Sequence, residues 1–154
     1  MRSATVWTGG FATSGEGPNG SPQPIWTSSD AATWAALTTN LAPPRIVIDI
    51  QDWNGGLAAV GASDKSGNQH PYVALSEDGQ DWMETMLSTE AEGYASALGV
   101  AGETLLAAGV DADRLTLWTL DSDVWQPQTI EEQGATINAL AWNPDLGLVG
   151  VGSK

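Results

Sequence analysis

Short runs of alternating apolar and polar residues, broken by Gly, Asn, Asp and Pro, fill this chain and predict strands rather than helices. The strongest run is Ile46-Val47-Ile48-Asp49-Ile50, whose branched side chains fit a strand packed on both faces. It belongs to a predicted strand over residues 45–53, and Asn54-Gly55-Gly56 supplies the hairpin turn into a second strand over 57–63. A loop over 64–70 then leads to strands over 71–76 and 82–87 around a turn at Asp78-Gly79. The same order returns with shorter connections over 94–100, 104–110, 115–119 and 124–130, and it begins again over 136–142 and 146–152. Ahead of this, residues 4–11 read as a second strand whose first is missing, and 12–24, rich in Gly, Pro, Ser and Asn, as a long surface loop. Residues 25–28 and 33–37 form a hairpin, and Pro43-Pro44 ends that unit because proline cannot donate to a ladder. The expectation is thirteen strands in one domain, residues 1–154, with unit boundaries near 44, 92 and 134.

Two markers give these units a common period. The first is a hydroxyl-x-Asp-x-x-x-Trp pattern, read in Ser28, Asp30 and Trp34, in Ser76, Asp78, Gly79 and Trp82, and in Thr119, Asp121 and Trp125. A Ser or Thr and an Asp two residues later can bond the amides of the turn they bracket, and the Trp anchors the returning strand. Its three copies align without a gap, and their tryptophans lie 48 and 43 residues apart. The second marker is a Gly closing a run of small apolar residues, at Gly61, Gly109 and Gly152, with the same two spacings. A period in the forties built of short strands and turns is the signature of an all-β propeller with four-stranded antiparallel blades. About three and a quarter blades fit in the chain, so the ring is incomplete or completed by other copies.

The hairpin pattern resembles the Asp-box, or BNR, repeat of sialidase-like β-propellers, Ser-x-Asp-x-Gly-x-Thr-Trp. Ser76, Asp78, Gly79 and Trp82 come closest, Ala31 and Ser122 stand where Gly79 does, and all three copies are one residue shorter than the full form. The resemblance implies a propeller whose boxes lie on outer hairpins and carry no catalytic group. Sialidase chemistry would need an arginine triad, a Tyr nucleophile and an acid Asp. This chain has three arginines in all, and Arg45-Ile46-Val47 lacks the proline of that family's Arg-Ile-Pro motif.

Composition narrows the partners. Nineteen acidic residues against five basic give a net charge of −14, which argues against nucleic acid and against anionic membranes. No stretch is apolar enough for a transmembrane span or a signal-peptide core. A native chain carrying an export signal elsewhere would be extracellular or at the cell surface, and one without it cytoplasmic. Cysteine is absent, which removes disulfides and thiolate metal sites. Abundant Gly, Ala and Trp with scarce Lys suggests a high-GC bacterial genome.

Candidate chemistry is sparse. His70 is the only histidine, beside Pro71, and reads as a solvated loop residue rather than a zinc ligand. Asp64, Asp111, Asp113 and the Asp121-x-Asp123 pair superficially resemble calcium ligands but lack the Gly and Glu of an EF-hand loop, so neither a metal nor a cofactor is expected. Among eight tryptophans, Trp34, Trp82 and Trp125 recur as hairpin anchors and Trp53 and Trp142 are expected at matching places ending the innermost strand, while Trp7, Trp26 and Trp118 fall outside these sets, Trp26 and Trp118 differing in strand phase by one residue. Together with Arg45 and His70 they are the candidate binding residues, and no catalytic residue is assigned. The expected function is a non-catalytic BNR-like interaction or scaffold module, binding a protein or a neutral glycan through its variable loops. The alternative is part of a sialidase-like glycoside hydrolase completed by further blades or another subunit. A homo-oligomer or a fragment of a longer chain is expected, since an open ring leaves sheet edges and apolar faces in water. The variable loops at one end carry Glu16, Asp64, Glu90, Glu92, Asp111, Asp113, Glu131 and Glu132 against Lys65, Arg45 and Arg114, which favours a neutral or cationic partner.

Overall fold

The computed structural model describes residues 2–16, 22–41, 45–65 and 68–154. Among them the chain is all-β without helix, in fourteen strands that form three four-stranded antiparallel sheets and one two-stranded sheet. Sheet 1 contains β1 (Ser3–Trp7), β2 (Gly10–Glu16), β3 (Pro22–Ser28) and β4 (Ala35–Ala36); sheet 2 contains β5 (Arg45–Trp53), β6 (Gly56–Lys65), β7 (Asn68–Ser76) and β8 (Met83–Met86). Sheet 3 contains β9 (Gly93–Ala101), β10 (Thr104–Asp111), β11 (Arg114–Asp121) and β12 (Val124–Gln133), and sheet 4 contains β13 (Thr136–Asn143) and β14 (Gly147–Ser153). In each sheet the strands lie side by side in chain order.

Three expectations change. Residues 4–11 are not a lone second strand, because the Thr8-Gly9 turn splits them between β1 and β2. Trp7-Thr8-Gly9-Gly10 repeats Trp53-Asn54-Gly55-Gly56, so sheet 1 is complete and the count is fourteen rather than thirteen. The segment over 12–24 is strand at both ends, with 17–21 outside the described residues. The expected loop over 64–70 is largely ladder, with Lys65 paired to Asn68 and Ser63 to His70, and β12 likewise continues to Gln133. Pro43 and Pro44 lie outside the described residues.

The first strands of successive sheets touch in order, β1 with β5, β5 with β9 and β9 with β13, whereas β4, β8 and β12 chiefly touch their own third strands. Each first strand is therefore both a sheet edge and a neighbour of the next edge. Its free backbone groups need partners, and side chains of the preceding sheet provide several. Ser3 Oγ donates to Ile50 O at 3.3 Å and Ser14 Oγ to Ile48 O at 3.1 Å, while the amide of Asp52 donates to Thr5 Oγ at 3.2 Å. Asp49 Oδ2 accepts from the Leu98 amide at 2.7 Å, and Ser96 Oγ donates to Ile137 O.

Between the sheets lie three apolar clusters. Ala12 and Ile25 of sheet 1 meet Ile50, Leu57 and Tyr72 of sheet 2; Ala58, Val60 and Val73 meet Leu98, Leu105 and Trp118 of sheet 3; Ala97, Leu106 and Ala108 meet Leu140 of sheet 4. Alternation along the strands sends neighbours such as Ala58 and Ala59 to opposite interfaces.

The glycine marker now has a cause. β5, β9 and β13 each carry a β-bulge, at Ile48, Ser96 and Asn138, and the bulges lie against Gly61, Gly109 and Gly152. A Cβ on these glycines would run into the carbonyl oxygens of Ile46, Tyr94 and Thr136, all backbone atoms. Close backbone approach, rather than a turn, requires glycine there. Gly109→Ala should therefore destabilise the protein by about 1–3 kcal/mol, the usual cost of overpacking. Chemical denaturation that gives Gly109→Ala the wild-type midpoint would refute this account of the marker.

Candidate functional site

Two of the three Ser/Thr-Asp hairpins form the same turn. Asp30 Oδ1 accepts from the amides of Ala32 at 2.9 Å and Thr33 at 2.8 Å, and from Ser28 Oγ at 2.9 Å. Asp78 Oδ1 accepts from Gln80 at 2.8 Å, Asp81 at 2.9 Å and Ser76 Oγ at 3.2 Å. The tryptophan then closes the loop, Trp34 Nε1 donating to Ala31 O at 3.2 Å and Trp82 Nε1 to Gly79 O at 2.9 Å. Ala31 and Gly79 share a positive φ of 59° and 77°. Glycine takes this backbone freely, whereas alanine is strained by it.

The third hairpin departs from the expected pattern. β11 runs on through Thr119 to Asp121, and β12 starts at Val124, leaving Ser122 and Asp123 as a two-residue turn with φ of 48° and 66°. Two consecutive left-handed residues make a tight hairpin whose twist suits the ladder. Trp125 accordingly pairs with Leu120 in the ladder instead of closing a loop. Asp123 tolerates the second left-handed position, and the β-branched Thr119 favours continuing the strand.

This shorter turn also removes the apparent phase difference between Trp26 and Trp118. The cross-strand row Leu98, Ala107, Trp118 of sheet 3 matches Ala4, Thr13, Trp26 of sheet 1, counted from the equivalent hairpins and bulges. Trp118 is fully buried between sheets 2 and 3, and Trp26 stands half-buried on the outer face of sheet 1. By the same count Trp142 matches Asp52 rather than Trp53, whose place is taken by Asn143.

Two larger recesses stand out among the described residues. A cleft of about 580 Å³ lies where the first strands meet, lined by Arg2, Ser3, Asp49, Gln51, Ser96 and Asn138 with Leu98 and Leu140 among its apolar residues. Both oxygens of Asp49 accept backbone amides, from Ile50 and Leu98, and Gln51 Oε1 is buried there without a hydrogen-bond partner. A groove of about 820 Å³ opens at the hairpin end, between the β5–β6 and β7–β8 turns of sheet 2, and reaches Asp123 of sheet 3. Trp53, Leu57, Leu75, Trp82 and Met83 give it an apolar wall, and among the described residues Glu77, Asp78, Asp81 and Asp123 give it four carboxylates without a lysine or arginine. Sequence reasoning placed binding on the loops at the opposite end. It missed this groove because its residues come from three turns of two sheets.

Trp26, His70 and Trp118 are not brought together, and none of these three lines either recess. Arg45 opens β5, and its side chain lies outside the described residues, as do those of Asp64 and Glu131. His70 is not a solvated loop residue: it lies half-buried in β7, and Nδ1 bonds the carbonyl of Ala91 at 2.8 Å, tying the β8–β9 connection to sheet 2. Asn40 is a residue that the sequence did not flag. Its side-chain amide accepts from the Trp82 amide at 2.9 Å and donates to the Trp82 carbonyl at 3.1 Å, which fastens the connection from sheet 1 over the second turn. Among the described residues no group of three or more potential metal ligands converges. Neither a protein-family model nor a curated protein matches this chain.

Trp82 is 5% exposed, whereas Trp34 is half-buried at the equivalent position. Trp82→Ala should cost about 3–5 kcal/mol, as for other buried aromatics, and Trp34→Ala clearly less; equal losses on urea denaturation would contradict the packing difference. The turn carboxylates also predict a pH dependence. The amides of Thr33 and Ala32, then the Ser28 hydroxyl, hold Asp30 down to about 2, and the amides of Asp81 and Gln80 lower Asp78. A carboxylate lowered in the folded state contributes stability that is complete above its unfolded pKa near ~3.9 and is lost as pH falls through the folded value. Stability should thus decline between about pH 4 and pH 2, and less steeply in the double variant Asp30→Asn/Asp78→Asn. Parallel acid titrations of the two proteins would show the assignment to be wrong.

Proposed function

We propose that this chain is a non-catalytic interaction module, a BNR-like β-propeller or part of one, whose partner is a protein or a neutral glycan. The radial reading is supported by the gathering of first strands while fourth strands stand apart, and by the twofold recurrence of the Ser-Asp turn with its closing Trp. Four-stranded sheets stacked in this way, with one turn type repeated on the outer hairpins, are what propeller blades consist of.

The observation that carries the binding role is the hairpin-end groove. Its volume of about 820 Å³ is that of a ligand site, its wall is aromatic and aliphatic, and its rim is acidic only. A segment presenting Lys or Arg beside an apolar side chain complements both features, and an anionic sugar is disfavoured by the field of a chain carrying −14. The carboxylates best placed for chemistry are engaged in structure: Asp78 Oδ1 holds its turn, and Asp49 holds two amides. Among the described residues Arg2 is the one arginine lining the cleft between the first strands, which favours an interaction module over a sialidase-like hydrolase.

Calorimetric titration at low salt against a Lys/Arg-rich peptide with aromatic residues, neutral oligosaccharides and sialylated oligosaccharides tests the reading. The peptide should bind, more weakly as salt rises. Glu77→Lys and Asp81→Lys should each weaken it by about fivefold, the effect of roughly 1 kcal/mol at an exposed ion pair. Neither side chain makes the turn bonds described above, so the fold is retained. Preferential binding of the sialylated set would overturn the proposal.

A further inference from the structure

The two ends of the stack expose opposite halves of one interface. Within the chain, each sheet uses one face toward the sheet before it and the other toward the sheet after it. Sheet 1 turns its preceding-type face to solvent. Trp26 stands there, at the position where Trp118 of sheet 3 is fully buried, together with Phe11 and with Val6 at 65% exposure. Trp34 borders the same side and is half-exposed, while its counterpart Trp82 is covered by the connection from the previous sheet.

Sheet 4 exposes the complementary, following-type face. Val149 and Val151 are 42% and 60% exposed. Counted from the bulges, Val151 matches Val60 and Ala108, and Val149 matches Ala58 and Leu106, all of them buried against the next sheet. The cross-strand partners of the two valines are Ala141 and Ala139, so this face bears no charge. Neither do Val6, Phe11 and Trp26, in a chain with 24 acidic and basic residues.

We propose that copies of this chain associate head to tail, the outer face of sheet 4 in one copy seating on the outer face of sheet 1 in the next. The occupant is a second copy because the two faces are halves of an interface the molecule already builds three times, and because the residues named on each face are uncharged in a strongly acidic protein. Such a junction is heterologous, so it propagates and closes into a ring where its rotation allows. The inference rests on the stacking of the sheets and not on the acidic groove, so self-association and peptide binding can fail independently.

Sedimentation equilibrium of the whole chain in about 0.3 M salt, where repulsion between acidic copies is screened, provides the test. Wild type should give a mass above the 16.0 kDa monomer, rising with concentration to a plateau if the ring closes. Val6→Glu and Val151→Glu, both at exposed positions, should each return the monomer with unchanged β-sheet circular dichroism. Mixed in equal amounts, they should form a dimer, since one variant keeps an intact sheet 4 face and the other an intact sheet 1 face. A wild-type monomer overturns the proposal. So does assembly lost in only one variant, which means like-on-like pairing, or assembly retained in both, which means pairing through the β14 edge. Failure of the mixture to dimerise overturns it as well.

Discussion

Sheet edges brought together must satisfy their free backbone groups, and that requirement governs this molecule. β1, β5, β9 and β13 are all first strands, each with a ladder partner on one side only. Water covers such groups at an ordinary edge, but here the edges face one another. Ser3, Thr5 and Ser14 supply the bonds from sheet 1 to sheet 2, Asp49 from sheet 2 to sheet 3, and Ser96 from sheet 3 to sheet 4. These side chains explain why polar residues interrupt otherwise apolar strands, since a buried amide or carbonyl left unpaired costs about 1–3 kcal/mol.

The bulges follow from the same arrangement. An extra residue at Ile48, Ser96 or Asn138 bends and twists the first strand, and at Ser96 the bulged residue itself reaches the next sheet. The bend presses backbone against backbone on the second strand, which admits glycine at 61, 109 and 152 and nothing larger. Small residues continue into the interfaces, where Ala58, Ala59, Ala107 and Ala108 face their neighbours from the second strands. Large side chains, Tyr72 and Trp118, enter from the third strands. Overpacking of the second strand and loss of the glycines would therefore disturb the same contacts.

Acidity has two separate consequences. Asp30, Asp49 and Asp78 are structural acceptors held by backbone amides, which at Asp30 and Asp78 favour the ionised form. Glu77, Asp81 and Asp123 line an apolar groove beside Trp53, Leu75 and Met83. The Ser-x-Asp pattern thus marks a turn that fixes the groove's rim, while the neighbouring acids give that rim its field.

The sequence by itself determined the all-β character, the order of the strands, most hairpins and the period, because alternation, turn residues and the Gly and Trp spacings are local or strictly repeated. It identified the turns at Asp30 and Asp78, whose bonds span only two or three residues. It misread the third hairpin, where two left-handed residues outcompete the same pattern, and so misplaced Trp118 by one position and took a core residue for a binding candidate. It also missed the first hairpin, although Trp7-Thr8-Gly9-Gly10 repeats the turn recognised at Trp53. What lies on one side of a strand is readable from alternation; which sheet lies opposite is not. Only tertiary structure decided that His70 bonds Ala91, that Asn40 holds Trp82, and that turns distant in the chain share one acidic groove. Those contacts join residues tens of positions apart, and their partners are set by how the sheets stack.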